Sequence, residues 1–360
     1  MKITKPTFIV DKKKAMRNIE RMVRKIDQSE GPIRFRPHFK THQSAPIGQW
    51  FRERGITAIT VSSVDMAFYF AQNGWNDITI AILVNPLEIE AIDRLAGMVD
   101  LSLVIDSEEM ATFLQRKLTH NVNLWIKIDT GYHRTGIEWD QTEEILSTAR
   151  MIRRSLKLSF KGVLTHAGHA YKARSAAELE QIYADTVFKM NRIRNCLEEK
   201  AIDGVEISIG DTPTCSAIER FYGTDEIRCG NFVFYDVSQW LIGACQPEDI
   251  AAAVSCPVIA RYPRRNEIVV YGGAVHLSKE SITDRQGRTL FGLVALPDKI
   301  SPTWGPVVDQ TFISALSQEH GIIKTTDAFI REIRVGDTLM VLPVHSCLAS
   351  NLLKNNYFFA

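Results

Sequence analysis

Along the first two thirds of the chain, two hydrophobic periods take turns. Short runs rich in aliphatic and β-branched residues recur at Arg34 to Phe39, Thr57 to Val61, Ile78 to Leu83, Leu101 to Ile105, Val122 to Ile128, Leu158 to Leu164, Val205 to Ile209 and Glu226 to Cys229. Between most of them lie amphipathic stretches: Val64 to Asn73, Pro86 to Ala96, Ser107 to Leu118, Asp140 to Arg153 and Ala176 to Lys200. Helix-start signals fit these limits. Asn85 before Pro86 reads as an N-cap with proline at the first helical position, and Ser107-Glu108-Glu109 puts acid in a first turn. Eight strand–helix units predict an α/β fold with parallel strands closed into a (β/α)8 barrel. An open doubly wound sheet is the alternative. Phe8-Ile9-Val10 and the helix that follows are expected to precede the barrel strands.

After about residue 240 the helical period fades. Short β-like runs take over at Pro257 to Arg261, Glu267 to Tyr271, Leu290 to Leu296, Gly321 to Lys324 and Thr338 to Pro343. Turn residues such as Arg264-Arg265-Asn266 and Val335-Gly336-Asp337 separate them. The pattern predicts a barrel domain over 1–240 and a mostly β domain over 241–360.

Composition narrows the function classes. Of 360 residues, 45% are hydrophobic and 24% charged, as in a globular chain. Lys and Arg number 43 against 42 Asp and Glu, so nothing favours a nucleic-acid or acidic-membrane partner. Lys12-Lys13-Lys14 reads as a solvated helix face, with a phosphate site as the alternative. No run of about 18 apolar residues exists to span a membrane, and the first residues lack a signal-peptide pattern. Six scattered cysteines without a CxxC pair suit reduced thiols in a cytoplasmic protein.

In such a barrel, chemistry collects at the C-terminal ends of strands. Arg36-Pro37-His38-Phe39-Lys40-Thr41-His42 follows the first strand. Lys40 is either a solvated loop lysine or a desolvated amine able to form a Schiff base. Asp129-Thr130-Gly131-Tyr132-His133-Arg134 follows the fifth, and Thr165-His166-Ala167-Gly168-His169-Ala170-Tyr171 the sixth. Gly210-Asp211-Thr212-Pro213-Thr214 follows the seventh. It suits a phosphate, although the same residues make ordinary turns. Gly230-Asn231-Phe232-Val233-Phe234-Tyr235-Asp236 follows the eighth. His166 and His169 can be read as metal ligands or as stacking and hydrogen-bonding groups. In Pro343-Val344-His345-Ser346-Cys347 an extended backbone would put His345 and Cys347 on one face, a pairing that suits Zn²⁺; a buried thiol beside a surface imidazole is the alternative.

Taken in order, these five motifs resemble the D-serine dehydratase / D-threonine aldolase family of alanine-racemase-like, fold-type III pyridoxal-phosphate enzymes. The likeness extends over about residues 5 to 355. It implies that Lys40 carries pyridoxal 5'-phosphate and Arg134 lies near the pyridoxal 3-oxygen. His166 and Tyr171 would line the ring. Gly210, Asp211 and Thr212 would hold the phosphate, and Tyr235 would close that site. His345 and Cys347 would bind a divalent metal, which a thiolate favours as zinc. The dehydratase branch resembles His-x-Cys, the aldolases His-x-Asp, so Cys347 points to β-elimination on a small D-3-hydroxy amino acid. Retro-aldol cleavage to glycine and an aldehyde is the alternative; a racemase and a non-catalytic cofactor carrier come after it. Tyr271-Gly272-Gly273-Ala274-Val275-His276 departs from the Asp-Ala-Gly-type turn of many relatives, so substrate choice can differ. The family also implies a homodimer.

Overall fold

The computed structural model describes residues 3–284, 286–298, 300–301 and 303–360. Two compact units emerge, and neither is one continuous piece of chain. One comprises Arg21–Lys40 and Ser44–Gly230; the other comprises Met1–Glu20, Thr41–Gln43 and Asn231–Ala360. The chain opens with β1 (Thr7–Val10) and α1 (Lys12–Asp27).

The first unit alternates strands and helices. These are β2 (Arg34–Phe35), α2 (Ala45–Arg52), β3 (Ala58–Val61), α3 (Val64–Gln72), β4 (Asp77–Leu83), α4 (Ile89–Ala96), β5 (Asp100–Ile105), α5 (Glu108–Lys117), β6 (Val122–Asp129), the short β7 (Ile137–Glu138), α6 (Thr142–Arg153), β8 (Leu158–Thr165), α7 (Ala176–Glu199), β9 (Glu206–Ile209), α8 (Thr212–Ala217) and β10 (Glu226–Ile227). Side-chain caps start several helices: Ser63, Ser107 and Ser175 accept from the backbone N–H of Met66, Met110 and Glu178. All eight expected strand runs are present. They pair in parallel in the order β2-β10-β9-β8-β6-β5-β4-β3, with β7 beside β6. Between β2 and β3 there is a lone parallel bridge, His38 to Thr60, and Thr60 N–H donates to the Pro37 carbonyl at 3.0 Å. The eight strands therefore make a nearly closed barrel. Where β8 runs beside β9, Gly162 is needed: its φ is +149° and a Cβ would lie 2.0 Å from the Glu206 carbonyl.

The first and last strands are shorter than their apolar runs suggested, at two residues each. Side chains tie them. Glu226 is fully buried and accepts from Arg36 Nε at 2.7 Å, Arg34 Nη1 at 3.1 Å and Ser208 Oγ at 2.7 Å. Arg36 also pairs with Asp77 on β4. Burial alone would raise the Glu226 carboxyl, but Arg36, Ser208 and Arg228 together hold it below the usual carboxylate range.

The second unit is mostly antiparallel. It contains α9 (Val237–Leu241), β11 (Ala252–Tyr262), β12 (Glu267–Tyr271), α10 (Ala274–Leu277), the hairpin β13 (Ile282–Thr283) and β14 (Thr289–Leu290), β15 (Gly292–Pro297), β16 (Trp304–Leu316), β17 (His320–Lys324), α11 (Asp327–Glu332), β18 (Thr338–Pro343), α12 (Ser346–Leu352) and β19 (Tyr357–Phe359). Strands β12-β17-β16-β15-β18-β11 follow one another, and β11 also pairs with β12, which closes a six-stranded barrel. On the outside of that ring, β1 pairs antiparallel with β11 and β19 pairs parallel with β1.

Two expectations change here. Phe8-Ile9-Val10 does not simply precede the barrel strands; all three are buried in the second unit's sheet, with Phe8 opposite Val254 and Tyr357. Only long-range pairing could reveal this. The long strand β16 also escaped the sequence pattern. Its register shifts against β15 and β17, and Gln310 has φ +53°, so the two-residue alternation breaks. Among the described residues no helix is long and apolar enough to cross a membrane.

Glu226→Gln is expected to remove the buried charge opposite Arg36, leaving it the partly exposed Asp77, and to cost about 3 kcal/mol. Denaturant unfolding of the variant against wild type checks this.

Candidate active site

Beyond β2 the chain enters a 3₁₀ turn, Phe39–Thr41. Phe39 is fully buried and packs on Phe51, Phe70 and Trp75 with ring centroids 5.1, 5.0 and 5.0 Å away. Those contacts fix the turn by its apolar residue and leave the next one, Lys40, exposed at the strand end. Lys40 N–H donates to His38 Nδ1 at 3.4 Å. Burial pushes the His38 imidazole well below its usual range, and Lys40, Arg228 and His166 push it the same way.

Around this turn the barrel unit gathers cations. Lys127 is buried on β6 and makes no hydrogen bond or ion pair among the described residues. Burial lowers its ammonium well below the ordinary lysine range; Arg228 and Arg134 add to that, and Asp129 opposes it. Arg228 is buried, donating from Nε to Ser208 Oγ at 2.6 Å and from Nη2 to the Thr165 carbonyl at 2.5 Å. Desolvation brings its guanidinium down to about 10, against the pull of Glu226. His166 Nδ1 lies 2.5 Å from the Gly210 carbonyl, so a neutral ring carries its hydrogen on Nδ1 and donates it there. Burial first, then Lys127, Lys40 and Arg134, hold His166 well below the normal imidazole range, with the Gly210 bond opposing. Tyr132 and Tyr171 have ring centroids 5.9 and 6.2 Å from His166, and Arg134 lies 5.0 Å over the Tyr132 ring.

The seventh strand end is built by helix capping. Asp211, 2% exposed, is the N-cap of α8: its Oδ1 accepts from Thr214 N–H and its Oδ2 from Thr214 Oγ1, both at 2.9 Å. Thr212 and Pro213 form the first turn. Gly210 has no room for a side chain, since a Cβ would lie 2.7 Å from Arg228 Cβ. Both Asp211 oxygens thus serve the cap.

The fold therefore brings Lys40, Arg134, His166, Tyr171, Gly210, Asp211 and Thr212 into one unit. Four cations (Lys40, Lys127, Arg134 and Arg228) act on two neutral imidazoles there. Such a set fits a phosphorylated, anionic aldehyde with an amine to receive it. Sequence reasoning missed Lys127, Arg228 and His38. Lys127 carried a visible signal, being the one charged residue inside the apolar run Val122 to Ile128.

Tyr235, His345 and Cys347 belong to the other unit. Tyr235 is buried, with φ +49° and its N–H bonded to the Asn231 carbonyl at 2.7 Å. The stretch holding His345 and Cys347 is not an extended strand. β18 stops at Pro343, His345 is the extended N-cap of α12, and Cys347 is already helical. The two residues nevertheless stay two positions apart at the start of one helix, cap and first turn. His345 Nδ1 is 2.6 Å from Glu280 Oε2. Asn231 Nδ2 donates to Cys347 Sγ at 3.4 Å, and the Cys347 thiol donates to Thr41 Oγ1 at 3.3 Å. Asp236 Oδ2 accepts from Ser346 N–H at 3.0 Å and from Asn231 Nδ2 at 2.7 Å, which pins the start of α12. Burial alone would lower the His345 imidazole; bonds to Cys347 and Glu280 reverse that and raise it.

An imidazole and a sulfur with polar neighbours fit a soft divalent metal. Among the described residues no cluster of three or more His, Cys, Asp or Glu is arranged to hold one, so further ligands would be water or substrate. In the other pair, His166 Nδ1 is engaged with the Gly210 carbonyl, and His169 Nδ1 is buried with no hydrogen bond among the described residues.

Comparison with known proteins identifies the family. The alanine racemase N-terminal domain family matches residues 10–237, and a putative serine dehydratase domain matches 251–359. The chain belongs to the D-serine dehydratase family of alanine-racemase-like pyridoxal-phosphate enzymes. Within this family, D-threo-3-hydroxyaspartate dehydratase of Delftia sp. HT23 is 30% identical over 351 residues, 95% of this chain and 90% of that protein. Its solved structure superposes with a TM-score of 0.89 at 29% identity, over 97% of this chain and 93% of that one. A cysteine-to-alanine mutant of the same enzyme has been solved in a metal-free form. D-serine dehydratase of Dictyostelium discoideum is 27% identical over 348 residues, 90% of this chain and 85% of its own. D-threonine aldolase of Filomicrobium marinum shares the fold, with a TM-score of 0.83 at 18% identity over 97% of this chain and 90% of that one.

Asp211 allows a pH test. Burial raises its carboxyl from 3.8 to about 6 despite the Thr214 bonds. A raised acid stabilises the fold fully below pH 3.8, and that contribution is lost as pH rises through 6. Asp211→Asn cannot ionise and keeps a capping oxygen. In cofactor-free protein, wild type is expected to lose up to about 3 kcal/mol relative to the variant between pH 4 and 7, read by denaturant unfolding at both values.

Proposed function

We propose that this chain is a pyridoxal-phosphate- and metal-dependent lyase that removes the 3-hydroxyl of a small D-3-hydroxy amino acid, giving a 2-oxo acid and ammonia. The observation that carries the reading is the His345–Cys347 pair, held by Glu280, Asn231 and Thr41 in a chain whose barrel also presents Lys40 among cations. Kinship to the two dehydratases, and the metal-free cysteine mutant of one of them, support it.

Each group then has a role. Lys40 would hold the cofactor by its amine and would be the base that takes the α-proton. Bound pyridoxal phosphate supplies an electron sink for the charge left on Cα. Arg228, Lys127 and Arg134 supply positive potential for its anionic groups, and Gly210 and Thr212 face its phosphate. His166 and Tyr171 line the ring. His166, donating from Nδ1 to Gly210, stays neutral and does not compete for the α-proton. Tyr235 keeps the cofactor-binding role that the family likeness implies. A metal on His345 and Cys347, zinc by ligand softness, supplies a Lewis acid for a leaving hydroxide. A metal of this kind has work only if the substrate carries a hydroxyl. Six free thiols suit a cytoplasmic setting, and the family likeness suits a homodimer.

The test is incubation with D-threo-3-hydroxyaspartate, D-serine and D-threonine in the presence of pyridoxal phosphate and Zn²⁺, with products identified by mass spectrometry. A 2-oxo acid with ammonia is expected from at least one. Glycine with an aldehyde would make the chain an aldolase instead, and a racemised or unchanged substrate set would reject the lyase reading. Lys40→Ala is expected to abolish turnover and the cofactor's protein-bound absorbance. Cys347→Ala is expected to lower turnover by at least about 100-fold.

A further inference from the structure

An imidazole can present either nitrogen to a metal, and what holds the other one decides which. In the unit that contains His345, that nitrogen is already taken. Glu280 lies in the segment after α10, 51% exposed at its side chain, with Oε2 2.6 Å from His345 Nδ1. The approach is built locally. Ser278 has φ +68°, a left-handed conformation unusual for a residue with a side chain, and its Oγ accepts the Glu280 N–H at 3.2 Å. The kink aims a carboxylate from far along the chain at the ring. An ionised carboxylate only accepts, so this contact requires the hydrogen on Nδ1, and in the neutral ring that binds a metal it leaves Nε2 as the lone-pair nitrogen.

We propose that Glu280 is a positioning residue for the metal site: it fixes the His345 tautomer and ring orientation so that Nε2 faces the ion beside Cys347 Sγ. The proposal rests on reading His345 and Cys347 as metal ligands. Glu280 acts through His345, since its Oε2 sits on Nδ1, the ring nitrogen that the ion does not take in this arrangement. Two donors do the matching task for sulfur. Asn231 Nδ2 already points a hydrogen at Sγ, and the Thr41 hydroxyl, 3.3 Å away, can rotate to donate once the thiol is ionised.

The deciding experiment measures Zn²⁺ affinity by chelator competition, with the Co²⁺ absorption spectrum as second readout, in wild type, Glu280→Ala, Glu280→Gln and Cys347→Ala. Glu280→Ala is expected to weaken Zn²⁺ binding about 10–100-fold. Glu280→Gln is expected to return to within about threefold of wild type with an unchanged Co²⁺ spectrum, because an amide oxygen still accepts from Nδ1, though without the charge. Unaltered affinity in Glu280→Ala would show a mere surface ion pair and overturn the proposal. Equal losses in both Glu280 variants, with altered Co²⁺ spectra, would make Glu280 a direct ligand and overturn it too. If wild type bound no metal, or Cys347→Ala bound it undiminished, the metal reading itself would fall, and the Glu280 role with it.

Discussion

The Glu226 carboxylate is the interaction on which the barrel unit most depends. Backbone ladders are short where the barrel begins and ends, with two residues in each of β2 and β10. A fully buried carboxylate with two arginines and a serine stands in for the missing hydrogen bonds. Buried ion pairs often give little net stability, but they are directional and costly to break one-sidedly. Here the direction matters. β2 leads into Lys40 and β10 leads into Arg228, so the same carboxylate sets the strand ends from which two of the clustered cations project.

Beyond that layer the balance of charge reverses. Glu226 and Asp211 are the fully buried acids near Arg228, and both are committed, one to the arginines and one to the α8 cap. Among the described residues Lys127 has no hydrogen bond or ion pair, and burial and neighbouring cations hold His38 and His166 well below the usual imidazole range. An environment of this sort lowers the cost of a neutral amine and favours an anionic ligand. Those are the two conditions that a lysine–aldehyde cofactor site needs.

In the second unit a single carboxylate plays a comparable part. Asp236 caps α9 through Gln239 N–H and, with its other oxygen, holds Asn231 and Ser346. Asn231 reaches Cys347, and Ser346 lies between His345 and Cys347. The imidazole and the sulfur are thus set by a helix start fixed from outside, while Glu280 holds the far ring nitrogen.

Local information fixed much of this. The period of each run determined the eight strands and their helices, because burial on one face must repeat every two or 3.6 residues. Strand-end position singled out Lys40, Arg134, His166 and Gly210, and ordered motifs named the family. Tertiary structure decided the rest. β1 finds its place against β11 and β19, strands that lie near the other end of the chain. The His345–Cys347 pairing comes from a helix cap where the pattern suggested a strand, since α12 starts where Asp236 binds Ser346. Arg228, His38 and Glu280 gain meaning only from what packs beside them. Periodicity reports which face of a segment is buried; it carries no record of which distant charge is buried with it, and the chemistry of this site consists of such pairings.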